Sequence, residues 1–330
     1  MRQSTCGEIQ TSLLGFGCGS VLGRVGRAAS LRAMSTAWDA GITLFDTARS
    51  YGFGNAEAVL GEFLRGKREQ AIVATKFGIF PQRQSPFKRM AVPVARIAMH
   101  IKVPGIRKLV RHGGAGNDEL GQFTVEGLRE SLETSLKQLR TDYVDLLFLH
   151  EASTDSIRQQ DLMAELDSVV KEGKVRRVGL YATSDVIAEG MANGPVTLGA
   201  MQFGVNLFDP VLAGFSERNQ RGLLLIGNHP FGGEQRVARV KATFKAMSAD
   251  ETVPPELRDK LRNADWQMLL EAVFGVVLDR MCVHALVFSM MRPDHLRANV
   301  RAVEINRFTG SDLALLRERL VNSPAPLSGA

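Results

Sequence analysis

Residues 41–52 read GITLFDTARSYG. An apolar, β-branched run ends on Asp46, and a short polar loop then carries Tyr51 and closes on Gly52. A helical pattern follows in AEAVLGEFLRG at 56–66, where Ala58, Val59, Leu60, Phe63 and Leu64 form an apolar stripe. The stretch therefore predicts a strand, a loop and a crossover helix, with an acid placed at the strand's exit. The next strand is AIVATKFG at 71–78, a buried-type apolar run interrupted by Lys76.

The same unit recurs in both directions from this point. Strands are predicted at SLLGFG (12–17), DYVDLLFLH (142–150), VRRVGLYA (175–182), LGAMQFG (198–204), GLLLIGN (222–228) and VHALVFSM (283–290). Helices are predicted from Ser30 to Gly41, over 124–140 with Thr124 at its start, over 156–174, over 264–278 and over 294–304. Eight strand candidates alternating with helices imply a parallel sheet, because each crossover returns the chain to the same end. Eight such units favour a closed barrel, the α/β class TIM (β/α)8 barrel, over a doubly wound sheet. No linker divides the chain, so residues 1–330 are expected to form one barrel domain. It carries a basic insertion at about 79–121 and a small, Pro-containing tail expected to fray at about 321–330.

In such a barrel the chemistry sits at the C-terminal ends of the strands. Asp46 ends the second strand, Lys76 lies near the end of the third, His150 ends the fourth, and Tyr51 stands in the loop after Asp46. Taken singly, each has an ordinary structural role: a helix cap, a snorkelling lysine, a core histidine, a packed tyrosine. Together they say more. A lysine inside an apolar strand is buried only when paired, and Asp46 is its partner. A cation held there stabilises a tyrosinate, so the Tyr51 hydroxyl is expected to ionise below its usual value near 10, toward working pH. His150 is then placed to orient a carbonyl oxygen or share the proton.

The composition, 45% hydrophobic and 23% charged, is that of a globular protein with ample core. The N-terminal residues lack the apolar core of a secretory signal, and no apolar run approaches the ~20 residues of a membrane span. Cys6, Cys18 and Cys282 are scattered and odd in number, which suggests neither a disulfide framework nor a metal site. A cytoplasmic protein without membrane attachment is expected. The net charge of +6 is more than accounted for by Arg83, Lys88, Arg89, Arg96, Lys102, Arg107, Lys108 and Arg111, in a segment (79–117) without acids. Only Phe80 and Phe87 supply stacking faces there, so nucleic acid is not the expected partner. A lid that favours an anionic substrate is expected instead, against the alternative of a solvated insertion.

With these residues assembled, the sequence resembles the aldo-keto reductase family. GITLFDTARSYG, VATKFG and SLKQLRTDYVDLLFLH are similar to the family's Asp-Tyr, Lys and His regions, in the same order. The resemblance implies a TIM barrel and hydride transfer between a nicotinamide cofactor and a small-molecule carbonyl or alcohol. It implies Tyr51 as general acid/base, Lys76 and Asp46 as its tuning pair, and His150 as the positioner of the carbonyl. It further implies cofactor contacts from Gly17, Gln202, Asn228, Ser289, Arg292, His295 and Asn299, the last three in RPDHLRAN at 292–299. NADP(H) is the implied cofactor, with NAD(H) as the alternative, because Met291 stands where the family often has an arginine and Arg292 is adjacent. Tyr181 and Ala182 replace the family's Ser-Asn pair, and Asn228 or His229 replaces its stacking aromatic. A cofactor-binding sensor with little turnover and a redox-neutral lyase or dehydratase are the competing readings. Substrate identity and oligomeric state are left open.

Overall fold

The computed structural model describes residues 1–23, 25–81, 123–281 and 283–322. A two-stranded antiparallel hairpin, β1 (Gln3–Cys6) and β2 (Ile9–Ser12), precedes eight parallel strands: β3 (Leu14–Gly17), β4 (Leu44–Asp46), β5 (Ile72–Phe77), β6 (Val144–His150), β7 (Val175–Ala182), β8 (Leu198–Gly204), β9 (Leu224–Asn228) and β10 (Ala285–Phe288). Each of the eight pairs with the next, and β10 pairs back onto β3, which closes the barrel. All eight fall inside the stretches read as strands from the sequence.

Helices of eight residues or more surround it: α1 (Arg27–Asp39), α2 (Ala56–Phe63), α3 (Val125–Leu139), α4 (Gln160–Lys171), α5 (Ser184–Asn193), α6 (Glu234–Ala249), α7 (Pro255–Arg262), α8 (Trp266–Gly275), α9 (Pro293–Glu304) and α10 (Gly310–Val321). Thr124 caps α3 by accepting from the Gly127 amide at 3.0 Å, which satisfies one of the orphan donors at that helix end. The helix expected over 156–174 divides, because Gln159 is extended between a short turn (Thr154–Arg158) and α4. The hairpin and α5, α6, α7 and α10 had no distinct signal in the sequence reading. The insertion expected at about 79–121 lies outside the described residues beyond Pro81, and so does the tail beyond Asn322.

Alternation along the strands sorts their side chains. One set packs outward against the helices, and the other fills the barrel. Leu44, Ile72, Ala74, Leu146, Phe148, Ala200, Leu224, Ile226, Ala285 and Val287 make the interior cluster. Cys6 and Ile9 of the hairpin join it, so the hairpin stops the N-terminal end of the barrel. The other end is therefore the open one.

Candidate active site

On five strands, two residues beyond the last apolar floor residue, the same inward direction meets a polar side chain. Leu44 gives way to Asp46, Ala74 to Lys76, Phe148 to His150, Ala200 to Gln202 and Ile226 to Asn228. All five polar residues are buried, and His150, Tyr181 and Gln202 are register partners across β6, β7 and β8.

Lys76 is 1% exposed. Its ammonium donates to both Asp46 oxygens at 2.7 Å and to the Thr47 carbonyl at 2.9 Å. Gln202 adds a donation from Nε2 to Asp46 Oδ1 at 3.1 Å. Burial opposes the Lys76 charge, but Asp46, followed by Tyr51, outweighs it and holds the ammonium above its usual range.

The half-buried Tyr51 ring has its centroid 4.9 Å from the Lys76 nitrogen and meets His150 edge-on at 5.8 Å. Its loop is fixed by backbone constraints and one buried ion pair. Gly52 has φ of +59°, and a Cβ there would stand 2.9 Å from the Val21 carbonyl, so only glycine fits that turn. Arg49 donates to Glu57 at 2.9 Å, and Glu57 accepts from Thr75 at 2.7 Å, tying the loop to α2 and β5. Sequence reasoning missed Arg49 and Glu57; the signal was a glutamate inside the apolar face of α2.

Burial pushes the Tyr51 hydroxyl above 10, although the charge and hydrogen bonding of Lys76 pull it down. This corrects the expected depression: Lys76 acts in the anticipated direction, but desolvation of the phenolate wins. Tyr51 is therefore a neutral phenol at working pH. His150 is likewise neutral, since burial and then the Lys76 charge lower it to about 3. Its Nδ1 is buried without a partner among the described residues. Burial, then Asp46, pushes the Cys18 thiol far up, so the nearby cysteine is no nucleophile.

A cavity of about 410 Å³ opens over this cluster, lined by Gly17, Asp46, Tyr51, Tyr181, Asn228 and Ser289 among others. The structure thus brings Asp46, Tyr51, Lys76, His150 and Gln202 together, and it sets Gly17, Asn228 and Ser289 on the same cavity. Arg292, His295 and Asn299 are not among the residues that line it. Arg292 is the N-cap of α9 and pairs with Asp294, while exposed His295 and partly buried Asn299 follow on the helix. Tyr181 stands inside the site, its ring 5.4 Å from His150 and 5.8 Å from the Lys76 nitrogen. It also borders a second cavity of about 520 Å³ that reaches Thr183, Asn206 and Arg236.

Gln202 provides the fit test for a nicotinamide. Its Nε2 is committed to Asp46, which leaves Oε1 as a buried acceptor without a partner among the described residues, suited to the N–H donors of a carboxamide. The N-terminal end of α9, with Arg292 beside it, suits phosphate, although the Asp294 carboxylate already accepts from the Asp294 and His295 amides there.

The sequence model of the aldo/keto reductase family matches residues 13–320. The chain is 30% identical over 194 residues to probable aldo-keto reductase 1 of Glycine max, a match covering 57% of this chain and 46% of that protein. It is 32% identical over 142 residues to the NADH-specific methylglyoxal reductase of Escherichia coli, covering 42% of this chain and 36% of that protein. These matches span less than half the length of either relative. The fold superposes on aldo-keto reductase AKR11C1 of Bacillus halodurans in its holo form with a TM-score of 0.69 at 21% identity, over 98% of this chain and 96% of that one.

Proposed function

The chain belongs to the aldo/keto reductase family, and we propose that it is a nicotinamide-dependent oxidoreductase acting on small carbonyl or alcohol substrates, with Tyr51 as its acid/base. The observation that carries the reading is the buried Lys76 ammonium, held by both oxygens of Asp46 with the Tyr51 ring 4.9 Å away.

The bound nicotinamide supplies or accepts the hydride at the carbonyl carbon. Tyr51, a neutral phenol, gives its proton to the oxygen as negative charge develops there. Lys76 then stabilises the phenolate that remains, and Asp46 keeps Lys76 cationic. His150, neutral across the working range, has an N–H with which to orient the carbonyl oxygen. With the cofactor bound, Gln202 Oε1 would accept from the carboxamide and Gly17 would let the first loop pass close to it. Asn228 and Ser289 would line its place, and Arg292, His295 and Asn299 would hold the adenosine end.

The preferred cofactor in this proposal is NADP(H), with NAD(H) also accepted. Arg292 is the cation available to a 2′-phosphate, but Asp294 already holds its guanidinium and competes for it. A relative specific for NADH is consistent with modest discrimination.

Substituting Tyr51→Phe should lower carbonyl reduction by about 10²–10⁴-fold while cofactor binding stays nearly intact. Full activity in that variant removes Tyr51 from the mechanism. A second reading, a cofactor-binding protein with slow turnover, is favoured by Tyr181, whose bulk takes the place where the family has a small side chain. Under that reading Tyr181→Ser raises turnover, whereas under the first it does not.

A further inference from the structure

Trp266 is 51% exposed, one of few large apolar side chains so placed among the described residues. It opens α8, whose succeeding residues Met268 to Gly275 are all buried. Asp265 fixes that helix end by accepting from the Met268 amide at 2.7 Å. The indole is not loose on the surface. It lies against Phe231 at 5.5 Å and an interplanar angle of 33°. Phe231 meets Phe274 at 6.1 Å, and Phe274 meets Phe288 at 5.0 Å.

This aromatic run starts at the active site, because Phe288 lines the same cavity as Tyr51 and so does His229, two residues before Phe231. On its other side α8 abuts α9: Gln267, next to Trp266, donates from Nε2 to the Ala298 carbonyl at 3.2 Å. Ala298 adjoins Asn299, and Arg292 and His295 lie on the preceding turns. Trp266 therefore stands at the outer end of an aromatic run that reaches the cavity through fully buried Phe274, on a helix that packs against α9 beside Asn299, and it presents a flat apolar face to solvent. An indole backed by a phenyl ring suits a planar aromatic base, since stacking works through the ring face.

We propose that Trp266, backed by Phe231, is the platform on which the adenine of the dinucleotide stacks. The inference rests on the nicotinamide reading above and assigns a residue that reading does not contain. The chain has two tryptophans, and the other, Trp38, packs against Phe45 and Phe63, so Trp266 emission can be read against a core background.

The test titrates the full chain with AMP, NADPH and reduced nicotinamide mononucleotide, by tryptophan emission and by calorimetry. AMP and NADPH should change the emission, and Trp266→Ala should weaken both by about tenfold, the size of one lost stacked base. Trp266→Phe should keep most of the affinity but lose the emission change. Mononucleotide binding should be the same in all three proteins. The proposal is overturned if Trp266→Ala binds AMP and NADPH as the wild type does, or if it loses the mononucleotide equally. Binding of AMP and NADPH at Trp266 without any binding of the mononucleotide would leave the platform standing and remove the nicotinamide reading, whereas binding of AMP alone would overturn the platform as a dinucleotide site. Failure of all three ligands would remove both.

Discussion

The floor and the rim of this barrel are built from the same strands, two residues apart, and obey opposite rules. At the floor, Leu44, Leu146, Leu224 and Ile226 pack as an apolar plug closed below by Cys6 and Ile9. One inward step higher come a carboxylate, an ammonium, an imidazole and two amides, nearly as buried. Burial at the floor stabilises the fold, whereas burial at the rim costs desolvation that only exact pairing offsets. The rim leaves some of its polarity unspent: His150 Nδ1 and Gln202 Oε1 have no partner among the described residues. A layer so arranged fits the proposed chemistry better than a stabilising role.

Breaking the rim pair tests this most severely. Lys76→Met leaves Asp46 charged and buried without its cation, with the Gln202 amide still donating to it, which should cost about 3–5 kcal/mol in denaturant unfolding. If the pair serves chemistry, Asp46→Leu combined with Lys76→Met should recover most of that stability and none of the activity. Acid titration gives the next effect. The unfolded chain protonates His150 near 6.5, but the folded one resists until about 3. As pH falls through 6.5 the unfolded state binds the extra proton, so this contribution to stability is present above 6.5 and is lost progressively below it. Between pH 7 and 4 the wild type should therefore lose stability relative to His150→Gln as the pH falls. At the floor, Ile226→Val should cost only about 0.5–1.5 kcal/mol and leave turnover unchanged. The smallest effect lies outside the barrel. Asp294→Asn frees the exposed Arg292, which should leave denaturant unfolding nearly unchanged and raise the preference for NADPH over NADH in binding titrations.

The barrel was legible because hydrophobic period and strand ends speak locally. Lys76 stood out as a charge inside an apolar run, and Asp46 and His150 as polar endings to two others. The hairpin was not legible: its short strands expose polar side chains, and only Cys6 and Ile9 carry it into the barrel. The direction of the Tyr51 shift was misread for a related reason. A pairing can be guessed from residue types, but the desolvation opposing it depends on how deeply the fold buries the phenol. Trp266 gave no signal in sequence, where it reads as one more apolar residue of a helix.

The most direct measurement follows the hydrogen itself. Nicotinamide cofactor carrying deuterium at C4 is incubated with the protein and a small aldehyde, and the product alcohol is examined by mass spectrometry. The account predicts deuterium on the carbinol carbon in the wild type and almost none with Tyr51→Phe, although that variant still binds the cofactor. Product formed without deuterium, or labelled equally by both proteins, would contradict it.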